Sequence, residues 1–287
     1  MAPHADIDVD HVAQGPGPHC ENAEHVTISI DKIMDCNRAT EEILLNASKD
    51  LGFFYLDVRN HPAREVTKQI EMATLTALQF YQPPQKERST WELNKDHISG
   101  EEVLGGLSRS LNLGDKQNLA KHHRKCHAFP SALGLLKYLH HEPESEEVRH
   151  ASHTDFEILF MVFSDVGGFQ VYHPGKKKWM FIPPKLGHIV CDIDDLSEFL
   201  SKSLLRTSLH RIIPQPTEKS KRKLAVVYLT RPDIDAVFVD REGKEWRSVD
   251  WQDMKNRLAA EDLEFQTSNL ALTGRLSHDD LWKEKEV

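Results

Sequence analysis

A mainly β protein with flanking helices is the fold class this sequence predicts, and three observations carry it. First, apolar, β-branched or aromatic runs follow one another from Val148 to Val239: Phe156–Phe163, Gly168–Tyr172, Trp179–Ile182, His188–Cys191, Thr207–Ile213, Leu224–Thr230 and Ala236–Val239. Second, turn formers separate them, at Asp165 and Gly167, Pro174-Gly175, Pro183-Pro184, Pro214 and Pro216. Short strands broken by frequent turns are the pattern of an all-β sandwich or barrel. Third, helical periodicity is confined to the flanks, apart from Leu196–Leu205 inside the β block.

The elements follow in order. The first 25 residues are polar, carry Gly15-Pro16-Gly17-Pro18, and read as a disordered lead-in. Val26, Ile28 and Ile30 alternate as a short strand. Asn37 can cap a helix running to Leu51, with Ile43, Leu44, Ala47 and Leu51 on one face. Gly52 ends it, and Phe53-Phe54-Tyr55-Leu56 reads as a buried strand. A second amphipathic helix runs from about Ala63 to Phe80 and stops before Pro83-Pro84, because proline cannot donate to the helix ladder. The stretch from Gln85 to Gly106 is polar and irregular, and Leu113 to Leu139 reads as helical. The tail from Asp250 is charged and helical, and no internal repeat is visible. The chain therefore divides into a lead-in (1–25), an N-terminal α/β region packing on the core (26–147), a β core (148–240) and a helical tail (241–287).

Composition narrows the function. With 287 residues and 39% apolar content, the chain can bury a substantial core. A formal net charge of −9 argues against nucleic acid or an anionic membrane as partner. The basic clusters Lys176-Lys177-Lys178 and Lys219–Lys223 sit in turn-like contexts and read as solvated charge. No apolar run reaches the ~18 residues a bilayer span needs, and the first residues lack the order of a signal peptide. Cys20, Cys36, Cys126 and Cys191 show no CxxC spacing, which fits free thiols in a reducing, cytoplasmic setting. A small-molecule substrate is the expected partner; a homo-oligomer stays open.

Against this background His153-Thr154-Asp155 stands out. On a strand end, residues i and i+2 share a face, so His153 and Asp155 would point together and Thr154 away. His210, before the apolar Ile212-Ile213, can supply a third ligand from a strand brought alongside. Two imidazoles and one carboxylate occupy one face of a metal and leave the other open, which for iron(II) means oxygen chemistry; zinc suits the same ligands. Any one of the 17 histidines is better explained as a surface or satisfied core residue. That applies to His122-His123 with Cys126 and His127, read as an exposed basic helix face beside Lys121, Arg124 and Lys125. It applies also to His140-His141, read as loop. His188 is a candidate to point into the barrel. Phe156, Glu157, Met161, Phe169 and Trp179 read as core or pocket lining.

The order of motifs weighs against coincidence. Gly167-Gly168-Phe169-Gln170-Val171, Trp179 to Pro184, Gly187-His188-Ile189-Val190, Asp195, and Ser208-Leu209-His210-Arg211 occur in one sequence. From His153 to Pro232 this resembles the isopenicillin N synthase-like family of iron(II)/2-oxoglutarate-dependent oxygenases. Ile28-Ser29-Ile30-Asp31, Ala47 to Tyr55, and Phe80-Tyr81-Gln82-Pro83 before Lys86 resemble the same family's N-terminal region. The resemblance implies a distorted double-stranded β-helix (jelly-roll) core, with His153, Asp155 and His210 as iron(II) ligands. It implies 2-oxoglutarate as co-substrate, bound bidentately beside O2 and decarboxylated to succinate as the substrate is oxidised.

The sequence also departs from that family. An Arg-x-Ser pair on a late strand usually grips the distal carboxylate of the co-substrate. Here alignment on Tyr228 and Arg231-Pro232 puts Lys223 at the arginine position and Ala225 at the serine, while a one-residue slip offers Arg222. Lys223 is favoured, with Tyr138 adding a hydrogen bond; a solvated cluster is the plain alternative for both cations. The segment between Lys86 and Leu113 is short, which leaves the pocket open or closed by something else. Asp194 replaces the glycine of the family's G-D turn, and Lys202-Ser203 replaces an Asn-Gly. The reading is an oxidoreductase of specialised metabolism acting by hydroxylation, desaturation or cyclisation. Its alternatives are an iron oxidase that does not use 2-oxoglutarate and a catalytically silent jelly-roll binding protein.

Overall fold

The structure, a computed structural model, describes residues 21–61, 100–114, 117–124, 131–138, 150–164, 167–213, 223–239 and 244–260. The lead-in to residue 20, the expected helix Ala63–Phe80, Arg222, His140-His141 and the tail beyond residue 260 lie outside them.

Two sheets carry the fold. The larger has the order β1-β2-β8-β5-β10-β3. Its strands are β1 (Thr27–Ser29), β2 (Phe53–Asp57), β3 (Ala132–Tyr138), β5 (Leu159–Phe163), β8 (His188–Ile193) and β10 (Lys223–Thr230). The smaller has the order β4-β9-β6-β7, from β4 (His150–His153), β6 (Phe169–His173), β7 (Lys178–Ile182) and β9 (His210–Ile212). Only β1 and β2 run parallel; every other pair in these sheets is antiparallel. β11 (Val237–Val239) and β12 (Glu245–Arg247) form a separate hairpin. This is the jelly-roll arrangement of two facing antiparallel sheets.

The larger sheet is buried on both faces, which explains its unbroken apolar runs. One face, with Leu159, Met161, Val226 and Tyr228, packs on helices. The other, with Phe160, Val162, Ala225 and Val227, looks toward the smaller sheet. The helices are α1 (Ile30–Met34), α2 (Arg38–Asp50), α3 (Gly100–Leu111), α4 (Asp195–Leu200) and α5 (Ser248–Ala260). Asn37 caps α2 as expected, its Oδ1 accepting from Thr40 N at 3.0 Å. Gly52 ends that helix at φ +68°, and a Cβ there would lie 2.2 Å from the Arg206 carbonyl.

Several elements differ from expectation. The apolar stretch 132–138, read as helical, is the edge strand β3, because seven residue pairs zip it along β10. It is thus an edge strand of the larger sheet, which β1 and β2 also join. Gly100–Leu111 was expected to be irregular through Gly106 and is helix α3. Its small Gly106 lets Ile33 and Leu44 approach to 3.3–3.4 Å of a built Cβ, so close packing outweighs poor helix propensity. Ile43 is 48% exposed and does not share the buried face of α2 with Leu44 and Ala47. The last lead-in residues are ordered: Ala23 N donates to Phe181 O at 3.0 Å, and Phe181 N to Glu21 O at 3.1 Å. His122 and His123 are buried, not an exposed face; His123 Nδ1 lies 2.7 Å from the Arg231 carbonyl.

Candidate metal centre and cavity

Antiparallel pairing of β4 with β9 sets His153 directly opposite His210. This register brings the distant histidine beside the first, with ring centroids 4.4 Å apart. β4 ends at His153, so Asp155 stands in the following turn and not on the strand. There its carbonyl accepts from Asp195 N at 3.0 Å, which pins the turn. Asp155 Oδ1 is 3.6 Å from His153 Nε2, and Oδ2 is 3.4 Å from His210 Nε2. One ligand atom from each of the three lies within 4.8 Å of the others.

The surroundings orient His210. Phe169 stacks on its ring at 5.1 Å and 18°, and Phe160 lies at 6.4 Å and 27°. Its Nδ1 is 3.2 Å from the Ser208 carbonyl, which selects the tautomer with a proton on Nδ1 and turns the Nε2 lone pair toward Asp155. Asp155 Oδ2 is buried with no hydrogen-bond partner among the described residues. Burial, and then the charges of Glu157 and Asp195, hold the Asp155 carboxyl well above its ordinary range. A cation between the three side chains would supply the missing partner.

A ring of further buried acids surrounds this turn. Glu157 accepts from Arg231 Nε at 3.1 Å and from Phe156 N at 2.9 Å. Asp195 pairs with Lys255 Nζ of α5 at 2.8 Å, both side chains nearly inaccessible, and accepts from Thr207 Oγ1 at 3.0 Å. Asp192 and Asp194 are fully buried, and among the described residues none of their four carboxyl oxygens has a hydrogen-bond partner. Burial and neighbouring carboxylates push both carboxyls upward. Sequence reasoning missed this ring; the Asp194-for-glycine departure was its one visible sign.

The three ligands open on a cavity of 210 Å³ between the two sheets. Its walls include Phe160, Val162, Phe169, Ala225, Val227 and Leu229, and apart from the three ligand side chains the only polar lining residue among the described residues is Ser164. Gly134 is required on the β3 wall, since a Cβ there would meet Val227 Cγ2 at 2.7 Å. Of the earlier pocket candidates Phe169 lines the cavity, whereas Met161 faces the helices and Trp179 stacks under Arg211 at 4.2 Å. His188 is not among the lining residues; its Nδ1 lies 2.8 Å from the Leu186 carbonyl.

Lys223 opens β10, paired in register with Tyr138 at the end of β3. Ala225, Val227 and Leu229 line the cavity, and so do Gly134 and Leu136. Lys223 and Tyr138 belong to those same alternating sets, whereas residue 222 has the opposite parity.

Comparison with known proteins agrees with this geometry. Residues 130–232 match the family profile described as the 2OG-Fe(II) oxygenase superfamily. An oxidoreductase, vrtI, of Penicillium aethiopicum is 30% identical over 161 residues, 56% of this chain and 39% of that protein. The 2-oxoglutarate-dependent dioxygenase frbH of Dothideomycetidae sp. (strain 11243) is 29% identical over 177 residues, 62% of this chain and 55% of that protein. The chain thus matches about half the length of these two relatives or less. A 2OG-Fe(II) oxygenase family protein from Caulobacter crescentus shares the fold, with a TM-score of 0.64 at 18% identity over 84% of this chain and 100% of the other.

Proposed function

We propose that the chain, whose residues 130–232 match the profile of the 2OG-Fe(II) oxygenase superfamily, is an iron(II)- and 2-oxoglutarate-dependent oxygenase acting on a small organic molecule. The observation that carries this is the His153–Asp155–His210 set opening on an apolar cavity. The donor set suits iron(II), and the partnerless Asp155 Oδ2 is where a cation is wanted. Bound iron(II) supplies O2 activation coupled to decarboxylation of 2-oxoglutarate.

The chain's own residues do the rest. Phe169 and the Ser208 carbonyl hold the His210 ring, and the Asp195 amide holds the Asp155 turn. The apolar walls exclude water and favour an apolar substrate face near the metal. At the β10 end we assign Lys223 to the distal carboxylate of 2-oxoglutarate, as a point charge in place of an arginine fork, with Tyr138 beside it. The shared parity of these positions with the cavity walls supports Lys223 over Arg222. Hydroxylation, desaturation or cyclisation in specialised metabolism is the reaction class we infer. No helix among the described residues is long and apolar enough to cross a membrane. Free Cys36 and Cys191 support our placing of the protein in the cytoplasm.

Anaerobic addition of iron(II) and 2-oxoglutarate should produce a weak visible charge-transfer band, and air should then yield succinate. His210→Ala and Asp155→Ala should abolish both. Lys223→Ala should raise the KM for 2-oxoglutarate by about 10- to 100-fold, the worth of one charge-assisted pairing. A wild-type protein that binds iron but yields neither band nor succinate would overturn the reading. Unchanged KM in Lys223→Ala with a large rise in Arg222→Ala would reverse the register.

A further inference from the structure

We propose that Asp155, Asp192 and Asp194 form a second site for a hard divalent cation, sharing the Asp155 carboxylate with the His153–Asp155–His210 centre. One oxygen from each of the three acids lies within 4.8 Å of the others. Asp155 belongs to both groups, so its two oxygens can serve two ions. Carboxylate oxygens alone suit magnesium, manganese or iron(II) ions better than a soft metal.

Two observations point to a ligand. Asp192 and Asp194 are 0% exposed, and among the described residues neither has a hydrogen-bond partner on either oxygen. Buried carboxylates without donors are expensive, and native proteins supply a partner. The nearby acids Asp195 and Glu157 have theirs in Lys255 and Arg231. Next, Asp194 stands at the N-cap of α4, where an aspartate normally accepts from the first-turn amides, yet its side chain makes no capping bond. Its carboxylate is turned into the acid group instead. A close cationic candidate among the described residues is the His210 ring, whose Nδ1 is 3.6 Å from Asp192 Oδ2 and already faces the Ser208 carbonyl.

The test is a manganese(II) titration of the metal-free full-length protein, with free Mn2+ followed by its electron paramagnetic resonance signal. Wild type should take up two Mn2+ per chain, and the doubly loaded protein should show exchange broadening, because two-metal sites hold their ions about 3.5–4 Å apart. Asp192→Asn/Asp194→Asn should take up one. His153→Ala/His210→Ala, which leaves all three carboxylates in place, should also take up one. A stoichiometry of one in wild type, unchanged by the double Asn variant, would show that the acids are merely protonated or hydrogen-bonded to water and would overturn the site. So would two ions still bound by the double Asn variant, or none bound by the double His variant. The readout needs neither 2-oxoglutarate nor turnover, so failure of the oxygenase reading and failure of this site are separate results.

Discussion

Asp194 and Asp195 are neighbours in sequence and equally buried, yet their surroundings are opposite. Asp195 is met by Lys255 Nζ at 2.8 Å and by the Thr207 hydroxyl at 3.0 Å. Asp194, one residue earlier, has no partner on either oxygen among the described residues, and Asp192 is in the same position. The first arrangement is structural: it ties α5 to the turn that carries Asp155 through the Asp195 amide. The second has no structural benefit and is the kind of unmet demand that a ligand satisfies. The comparison teaches that burial of an acid does not define its role; what meets its oxygens does.

The contrast can be broken experimentally, from the largest effect to the smallest. Lys255→Met removes one partner of a fully buried pair and leaves Asp195 uncompensated. It should cost about 3–5 kcal/mol in denaturant unfolding, a loss far above that of a surface lysine. A second buried group without countercharge tests the same logic with the opposite sign. Burial beside Tyr55 lowers the His25 pKa to about 4, the Lys185 charge adding to the shift and the contact with the Phe181 carbonyl opposing it. A depressed histidine means the unfolded chain takes the proton first, so stability is full above about pH 6.5 and falls as pH drops toward 4. The loss should reach about 3 kcal/mol and be flattened in His25→Phe. Arg231→Met breaks the Glu157 pair but leaves Glu157 its bond from Phe156 N, and the arginine is partly exposed. Urea unfolding should show a smaller cost, about 1–2 kcal/mol. Asp194→Asn should move the other way in the metal-free protein, gaining about 1 kcal/mol in thermal unfolding because a repulsive buried charge is removed. A loss there would place Asp194 with Asp195, among the structurally partnered acids.

Local patterns were legible where the signal lay in neighbouring residues. The strands of the β block, the Asn37 cap, the Gly52 stop and the His153-Thr154-Asp155 pair were all readable, because alternation, capping and turn chemistry act over a few positions. Two segments were not. Ala132–Tyr138 is a short apolar run that fits either period, and its partner β10 decided it. Gly100–Leu111 carries Gly105 and Gly106, which argue against a helix until Ile33 and Leu44 are seen to require a small residue.

The sequence by itself determined a β-rich core and the spacing of a two-histidine, one-carboxylate set within it, and it offered Lys223 where the family it resembles carries an arginine. Those follow from residue identity and short spacing. Only the tertiary structure decided that His153 faces His210 across one ladder position, that the odd-numbered side of β10 lines the cavity, and that Lys255 neutralises Asp195 but nothing comparable reaches Asp194 among the described residues. The physical reason is common to all three. Register and charge compensation join residues tens of positions apart, and only closure of the chain fixes which of them meet.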